Sequence, residues 1–162
     1  PEGIASDLIA SISEMTVAVV VVGLSRCILV IMSEGMIIDS VIHGMSTLLD
    51  GLPTWATSEM MLVVQNLLNF FIPSGSGQAA AIMPIMTPLA DLTGVNRQIA
   101  VLAYQFGDGY SNLIWPTAAC AIMCGIAKIP MGKWYRFFLP LFGIMFILES
   151  FFVIFATVIN YS

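Results

Sequence analysis

Charged side chains are scarce in this sequence: Asp, Glu, Lys and Arg supply 9% of the 162 residues, whereas soluble domains carry about a quarter. Only five residues are Lys or Arg and the net charge is -5, which argues against a nucleic-acid partner and against a basic anchor for anionic lipids. Hydrophobic residues make up 59% of the chain, and the mean hydropathy is +0.96. The composition therefore predicts an all-α integral membrane protein embedded in a lipid bilayer.

Histidine and cysteine are also rare. His43 is the single histidine, and Cys27, Cys120 and Cys124 lie in apolar runs, where they are expected to pack as small hydrophobic residues. We predict no cofactor apart from a coupling ion. A membrane-embedded hydrolase is a minor alternative, because residues 75–77 resemble a nucleophile turn. However, no G-x-S-x-G pattern is present, and no histidine lies in a predicted span to act as base.

The apolar runs differ in length. Residues 4–32 and 137–159 are each long enough to span a bilayer, whereas 34–57 has apolar residues at spacings of three and four, which predicts an amphipathic interfacial helix. Two shorter arms, 58–72 and 77–92, flank the sequence Pro-Ser-Gly-Ser, and each is roughly 22 Å long against ~30 Å of hydrocarbon. A tip without Lys, Arg or Trp favours a re-entrant hairpin over two short spanning helices.

A second interruption is predicted where the apolar run 99–127 contains Gly107, Asp108 and Gly109. An acid at bilayer depth costs several kcal/mol unless it is paired or hydrated, so a functional role is favoured over a packing role beside a kink. The two glycines are expected to unwind the helix at 107–112.

The residues after the predicted break suggest a new helix start. Ser111 or Asn112 is expected to cap a second half-helix, with Pro116 in its first turn. Helix ends at membrane depth leave unpaired backbone groups that must face a cavity or a ligand, and secondary transporters build sites from two such interruptions. We therefore predict a cation site, for sodium, at Ser74, Ser76 and Asp108, close to the carbonyls of 70–72.

The basic residues set the orientation. Three of the five lie in 128–136, whereas 33–59 holds four acids and no Lys or Arg. The positive-inside rule then places the 128–136 loop in the cytoplasm, and the amphipathic helix and the C-terminus outside. The predicted units are 1–57 on a scaffold side, 58–127 on a transport side, and 128–162 with the basic loop and last span.

Four motifs carry a family resemblance: Asn-Phe-Phe-Ile-Pro-Ser-Gly-Ser-Gly at 69–77, Met-Pro-Ile-Met at 83–86, Val-Leu-Ala-Tyr-Gln-Phe-Gly-Asp-Gly at 101–109, and Asn-Leu-Ile with Pro-Thr at 112–117. From about residue 7 onward the sequence resembles the C-terminal half of YfcC-type carriers. These belong to the C4-dicarboxylate anaerobic carrier (DcuC-like) group, which includes arginine/ornithine antiporter-like members.

The resemblance implies one of two inverted repeats of an ion-transporter-type fold, with a re-entrant hairpin and a broken transmembrane helix. The chain would be the C-terminal half of a secondary active transporter of the inner membrane. Its expected partners are the missing N-terminal half, a small solute and a second copy in a homodimer. Transport would be elevator-like, coupled to sodium or protons or to solute exchange.

The expected substrate is an amino acid, with a lean towards a basic one, or a C4-dicarboxylate; the alternative function is a noncatalytic subunit of a larger membrane complex. Trp115 departs from the small residue expected before Pro116 and would narrow the pocket. The candidate site residues are Ser74, Gly75, Ser76, Gly77, Gly107, Asp108, Gly109, Ser111, Asn112 and Thr117, with Asn69 and Tyr110 as weaker candidates.

Overall fold

The computed structural model describes residues 51–117 and 119–162, together with scattered positions before residue 51. Most of the first predicted span, 4–32, and part of the predicted amphipathic helix, 34–57, lie outside these residues. Within residues 51–117 and 119–162 there are five helices and no strand: α1 (Thr54–Phe71), α2 (Gly75–Thr93), α3 (Arg97–Ser111), α4 (Ala119–Ile126) and α5 (Met131–Val158).

The first two helices form a hairpin, and its tip is the predicted break at Pro73. The N-H of Gly77 donates to Ser74 Oγ at 3.3 Å, so Ser74 acts as the N-cap of α2. The Ser74 N-H in turn donates to the carbonyl of Ile72 at 2.8 Å. The chain therefore reverses within 72–74, and both helix ends are closed by local hydrogen bonds.

The turn between α2 and α3 has the predicted polar character. Gly94 adopts φ +72°, the left-handed conformation that ends a helix, and the Val95 N-H donates to the Ala90 carbonyl at 2.9 Å. Asn96 then caps α3 by accepting from the N-H of Gln98 at 2.9 Å. At the exposed side of this turn, Arg97 forms two hydrogen bonds to Asp91 and thereby lowers the pKa of that carboxyl.

The predicted unwinding at 107–112 is wrong. Helix α3 continues through both glycines to Ser111, residues 112–117 are not helical, and α4 begins at Ala119. Proline explains this position: Pro116 has no N-H to donate and its ring clashes with the carbonyl four residues earlier. Pro116 lies in the interruption itself, not in the first turn of the next helix as predicted.

The hydrophobic core lies where α1 packs against α3 and α5, with α2 covering α3. It includes Met61, Leu62, Leu68, Ile82, Met86, Ile99, Ala100, Ala103 and Val153. The start of α1, the turn before α3 and the end of α5 line one cleft, and Thr157 of α5 donates to Ser58 of α1 at 2.8 Å. Helices α1 and α3 thus start at the end of the bundle where α5 finishes.

Helix α5 is the one helix of the described part that is long and apolar enough to cross a membrane by length and composition. It has 28 residues, or about 42 Å at 1.5 Å per residue. Large apolar side chains along it, such as Phe137, Ile147 and Phe151, are exposed in this chain.

Candidate functional site

Asp108 lies near the end of α3 and is 7% exposed. Its Oδ1 atom accepts a hydrogen bond of 2.5 Å from Asn69 Nδ2 on α1 and one of 3.2 Å from Asn112 Nδ2 at the helix end. Two neutral amides thus donate to the same oxygen of the carboxylate. Buried acids normally pair with a cation or with several donors, so this arrangement orients the acid while leaving its charge available.

The hairpin tip lies directly against Asp108. A Cβ atom added to Gly75 would be 2.8 Å from Asp108 Oδ2, and the Tyr104 hydroxyl donates to the Gly75 carbonyl at 2.6 Å. Any larger side chain at Gly75 would displace the carboxylate. The structure therefore brings the hairpin tip and the end of α3 together, with the acid beside the first turn of α2, whose positive dipole end stabilises negative charge.

A chain of buried amides links the two arms of the hairpin. Asn69 Nδ2 is 3.3 Å from Gln78 Oε1, and Gln78 Nε2 donates to Gln65 Oε1 at 2.8 Å and to the Gln65 carbonyl at 3.0 Å. All three side chains are fully buried. Sequence analysis did not identify Gln78 and Tyr104 as site residues. The spacing of four between Gln65 and Asn69 was a usable signal for the amide cluster, because it places both side chains on one helix face.

Several polar atoms in this cluster have no partner. Asn69 Oδ1 and Asn66 Oδ1 are buried without a hydrogen-bond donor in the described part of the chain, and Gln65 Nε2 lacks an acceptor there. More than nine in ten buried polar groups in proteins are satisfied, so three such atoms within about one turn of α1, where Asn69 binds Asp108, mark this region as unusual. Two of the three are oxygen acceptors, which suits a ligand that brings donors or positive charge.

Gly107 has a packing role. A Cβ atom there would lie 2.5 Å from Gln65 Cβ and 3.1 Å from the Asn66 backbone nitrogen, so only glycine allows α1 and α3 to approach this closely. Gly109, by contrast, is exposed and has nothing within 4 Å of its Cβ position. Gly107 and Gly109, which the sequence analysis interpreted in the same way, therefore differ completely in their surroundings.

Ser111 and Asn112 also act differently from the prediction. The Ser111 hydroxyl donates to the Gly107 carbonyl at 2.5 Å, and Asn112 Nδ2 donates to the Asp108 carbonyl at 2.6 Å. Both side chains close the end of α3 by bonding carbonyls one turn back. Neither caps the start of a second half-helix, which corrects the expectation from the sequence.

The interruption after α3 is held by hydrogen bonds from its own side chains to α1. Trp115 Nε1 donates to the Asn66 carbonyl at 2.7 Å, and the Thr117 hydroxyl donates to the Phe70 carbonyl at 2.7 Å. The Trp115 ring also packs edge-on against Phe70, with centroids 5.2 Å apart. The Phe70 carbonyl, which the sequence suggested for a cation, accepts from Thr117 instead.

Helix α5 holds the same interruption from the other side. Trp134 Nε1 donates to the Leu113 carbonyl at 2.9 Å, and the Tyr135 hydroxyl donates to the Ile114 carbonyl at 3.0 Å. Backbone carbonyls of an irregular segment have no helical partners, and in lipid they must be satisfied by protein. Trp134 and Tyr135, at the start of α5, donate the hydrogen bonds that satisfy two of these carbonyls.

The remaining predicted residues lie around the cluster. Ser74 and Gly77 form the cap at the start of α2, whereas Ser76 is exposed and is not among the side chains that contact Asp108. Tyr110 is half-buried and stacks on Phe138 of α5, with ring centroids 6.2 Å apart. Of the predicted sodium ligands, Asp108 belongs to the buried cluster and Ser74 lies at its edge.

Trp115→Phe tests the hydrogen bond between the interruption and α1. Phenylalanine keeps the ring that packs on Phe70 but loses the N-H that reaches the Asn66 carbonyl, so the free energy of unfolding is expected to fall by about 1 kcal/mol. Thermal unfolding of the full-length protein in detergent measures this change. Trp55→Phe is the matched control, since Trp55 is 54% exposed, and an equal loss in both variants would contradict the assignment.

These features define the class of protein: a helical bundle in which two helix interruptions meet around a buried, amide-bound acid. The family model for the C4-dicarboxylate anaerobic carrier (DcuC) matches residues 8–158. The chain belongs to this family, as the sequence motifs predicted, and is therefore a membrane protein of a carrier family.

Two relatives show the same affiliation. The chain is 37% identical over 153 residues to the "Putative basic amino acid antiporter YfcC" of Escherichia coli K12, an alignment that covers 91% of this chain and 30% of the relative. It is 33% identical over 138 residues to an uncharacterized protein of Haemophilus influenzae, covering 85% of this chain and 27% of the relative. The chain thus spans less than a third of either relative. No solved structure matches it significantly.

Proposed function

We propose that the chain is a C-terminal portion, less than a third of the full length, of a secondary active transporter that moves a cationic amino acid. The observation that carries this proposal is the excess of buried acceptors on and beside Asp108: the Asn69 Oδ1 atom, on the amide that binds this acid, and the Asn66 Oδ1 atom, three residues earlier on α1, have no donor in the described part. Ammonium and guanidinium groups carry donors and no acceptors, so they complement this set. The E. coli relative is named for basic amino acids, which agrees with this substrate class.

The electrostatics disfavour a doubly negative solute. Asp108 already lies against the first turn of α2, so a dicarboxylate that used this helix start would meet a negative charge there. No hydrogen bond or ion pair recorded for the cluster among residues 51–117 and 119–162 involves Lys, Arg or His; Arg97 binds Asp91 at the exposed turn. A C4-dicarboxylate, suggested by the family description, is the second candidate.

The dimensions of the helices support a re-entrant hairpin. Ser58 of α1 contacts Thr157 of α5, and from this level α1 runs 13 residues, about 20 Å, to its end at Phe71. Helix α5 runs 26 residues from Thr157 to Met131, about 39 Å. The hairpin tip therefore reaches about halfway along the helix that is long enough to cross the membrane, as a midplane site requires.

The hydrogen bonds between elements also support a mechanism in which the hairpin, α3, the interruption after it and α5 move as one rigid body. The tip is bonded to α3 through Tyr104 and Asn69, while α5 is bonded to the interruption through Trp134 and Tyr135. In the elevator mechanism that we propose, these elements travel together past the N-terminal half and the scaffold. The 128–136 loop would be cytoplasmic, and the start of α1, the turn at 94–96 and the C-terminus would face outside. The coupling ion is sodium or a proton.

Ligand-dependent stabilisation of the full-length transporter tests the function. A ligand at one hundred times its Kd stabilises a protein by about 2.7 kcal/mol, so arginine or ornithine is expected to raise the Tm of the purified protein in detergent. Succinate is the C4-dicarboxylate control, and each solute is measured with and without sodium. A shift with succinate alone would contradict the amino acid assignment. No shift with any solute would contradict a transport site and favour the noncatalytic subunit.

A further inference from the structure

Two acids, Glu59 of α1 and Glu149 of α5, lie away from Asp108; Glu149 is buried and Glu59 is half-buried. Glu149 lies about two-thirds of the way along α5 and is 6% exposed, and its Oε2 atom is buried without a hydrogen-bond partner in the described part. Ser150, the next residue, donates to Glu59 Oε1 on α1 at 2.6 Å. Glu59 Oε2 is likewise buried and unpartnered. Two carboxyl groups therefore enter the same helix interface, each with one unsatisfied oxygen.

The position of Glu149 directs it into the bundle. Phe146, Val153 and Ala156 lie on the same face of α5, at helical spacings of three and four; Val153 and Ala156 belong to the core, and Phe146 is half-buried against it. Glu149 thus occupies a core position on a face that is otherwise apolar. An ionised carboxylate in such a place costs several kcal/mol, whereas the neutral acid can be accommodated.

No cation compensates these acids in the part of the chain that the structure describes. Helix α1 contributes Glu59. Other ionisable side chains on the elements that pack against α5 have partners elsewhere: Arg97 binds Asp91, Tyr104 donates to Gly75, Asp108 accepts from Asn69, and Cys120 and Cys124 lie beside Tyr135. On α5 itself, Lys133 and Arg136 lie in the first two turns, towards its start.

This group is separate from the proposed substrate site. Glu59 and Asn69 are ten residues apart on α1, about 15 Å along its axis. Glu59 is also only five residues, about 8 Å, from the start of α1, at the end of the bundle where the Ser58–Thr157 contact lies. Glu59 is thus closer to the bundle end, and Glu149 lies deeper.

We propose that Glu149 is the proton-binding site of the transporter, with Glu59 as the group through which it exchanges protons with water at the outer end. This inference deepens the proposed transport function and rests on it. A hydronium ion at the outer end gives its proton to a Glu59 carboxylate oxygen and leaves as water; Glu59 passes the proton to Glu149 and returns to the carboxylate that accepts from Ser150. After the elevator movement, Glu149 gives the proton to a water molecule on the cytoplasmic side and becomes a carboxylate again, so one proton crosses for each cycle.

Infrared spectroscopy of the purified full-length transporter in lipid tests the site without any solute. A C=O stretching band of a protonated carboxyl is expected at neutral pH, lost in Glu149→Gln and retained in Asp91→Asn, whose side chain is exposed. Glu59→Gln is expected to keep the band but to slow its deuterium exchange at least several-fold. A band unaffected by Glu149→Gln would overturn the proposal.

Reconstituted vesicles containing arginine test the coupling. An imposed pH gradient is expected to drive arginine accumulation by the wild-type protein, and Glu149→Gln should reduce it at least about tenfold while arginine exchange at equal pH continues. Accumulation at the wild-type level, or equal loss of accumulation and exchange in a folded variant, would overturn the proton role. Absence of arginine exchange by the wild-type protein would contradict the proposed function instead, and the infrared result would still decide the proton site.

A conservative variant covers the case in which Glu149→Gln does not fold. Glu149→Asp keeps a carboxyl one methylene shorter, so it should still accumulate arginine, but with a pH profile displaced from that of the wild-type protein. An undisplaced profile would overturn the proposal, because a residue with only a packing role has no reason to set the pH dependence.

Discussion

Asp108→Asn in the full-length transporter is expected to lower the apparent affinity for its solute about 100-fold and to abolish coupled uptake. A hydrogen bond to a charged group contributes about 1.5 to 3 kcal/mol, and the upper value corresponds to roughly two powers of ten in affinity. The substitution keeps the shape of the side chain and an oxygen that can accept from Asn69 and Asn112. It removes the charge, and places an NH2 group where Oδ2 faces the hairpin tip.

The measurement is uptake of radiolabelled arginine into vesicles containing the full-length protein, with unfolding temperature recorded alongside. Asp91→Asn is the matched control, because it makes the same chemical change at an exposed ion pair with Arg97. We expect uptake by the control to remain within about twofold of wild type, in line with the small contribution of surface ion pairs. Wild-type uptake by Asp108→Asn would refute the role assigned to this acid.

Gly107→Ala is expected to destabilise the protein strongly. The added Cβ would lie 2.5 Å from Gln65 Cβ and 3.1 Å from the Asn66 nitrogen, and neither atom can move by a simple side-chain rotation. Overpacking of this kind costs about 1 to 3 kcal/mol, of which the better helix propensity of alanine offsets up to about 1 kcal/mol. A lower Tm and a lower yield of folded full-length protein in detergent are the expected results.

Gly109→Ala provides the comparison. It lies on the same helix, two residues away, with open space around its Cβ position, so helix propensity alone should act. Alanine then stabilises the helix by up to about 1 kcal/mol, and the Tm is expected to stay equal or rise. Equal destabilisation by both substitutions would show that the close packing between α1 and α3 at Gly107 does not hold in the intact protein.

The sequence predicted that two helix interruptions exist, but it did not identify the residue that causes the second one. Pro73 and the cap at Ser74 fix the hairpin break locally, and this part of the prediction was correct. At the second break, the glycines appeared to be the cause, because their cost to a helix is the same wherever they occur in a sequence. Tertiary packing explains why the prediction was wrong. Gly107 allows α1 and α3 to meet, so α3 continues past the glycines and ends close to Pro116.

The same distinction applies to the candidate site. Asp108 could be selected from the sequence because an acid in an apolar run is costly whatever surrounds it. The partners of Asp108 could not, because Asn69 is 39 residues away and its pairing depends on how α1 and α3 pack. Gln78 was equally hidden, since buried amides and surface amides look alike in a sequence.

Composition, apolar run lengths and short motifs by themselves determined that this is a helical membrane protein of the carrier family, with a break at Pro73 and an unusual acid at Asp108. These are properties of the chain and its solvent, so they do not depend on long-range contacts. Only the tertiary structure decided that the hairpin tip lies against Asp108, that Gly107 is a packing residue, and that Glu59 and Glu149 enter one interface. Those facts arise from the relative placement of helices, which the local preferences of the residues leave open.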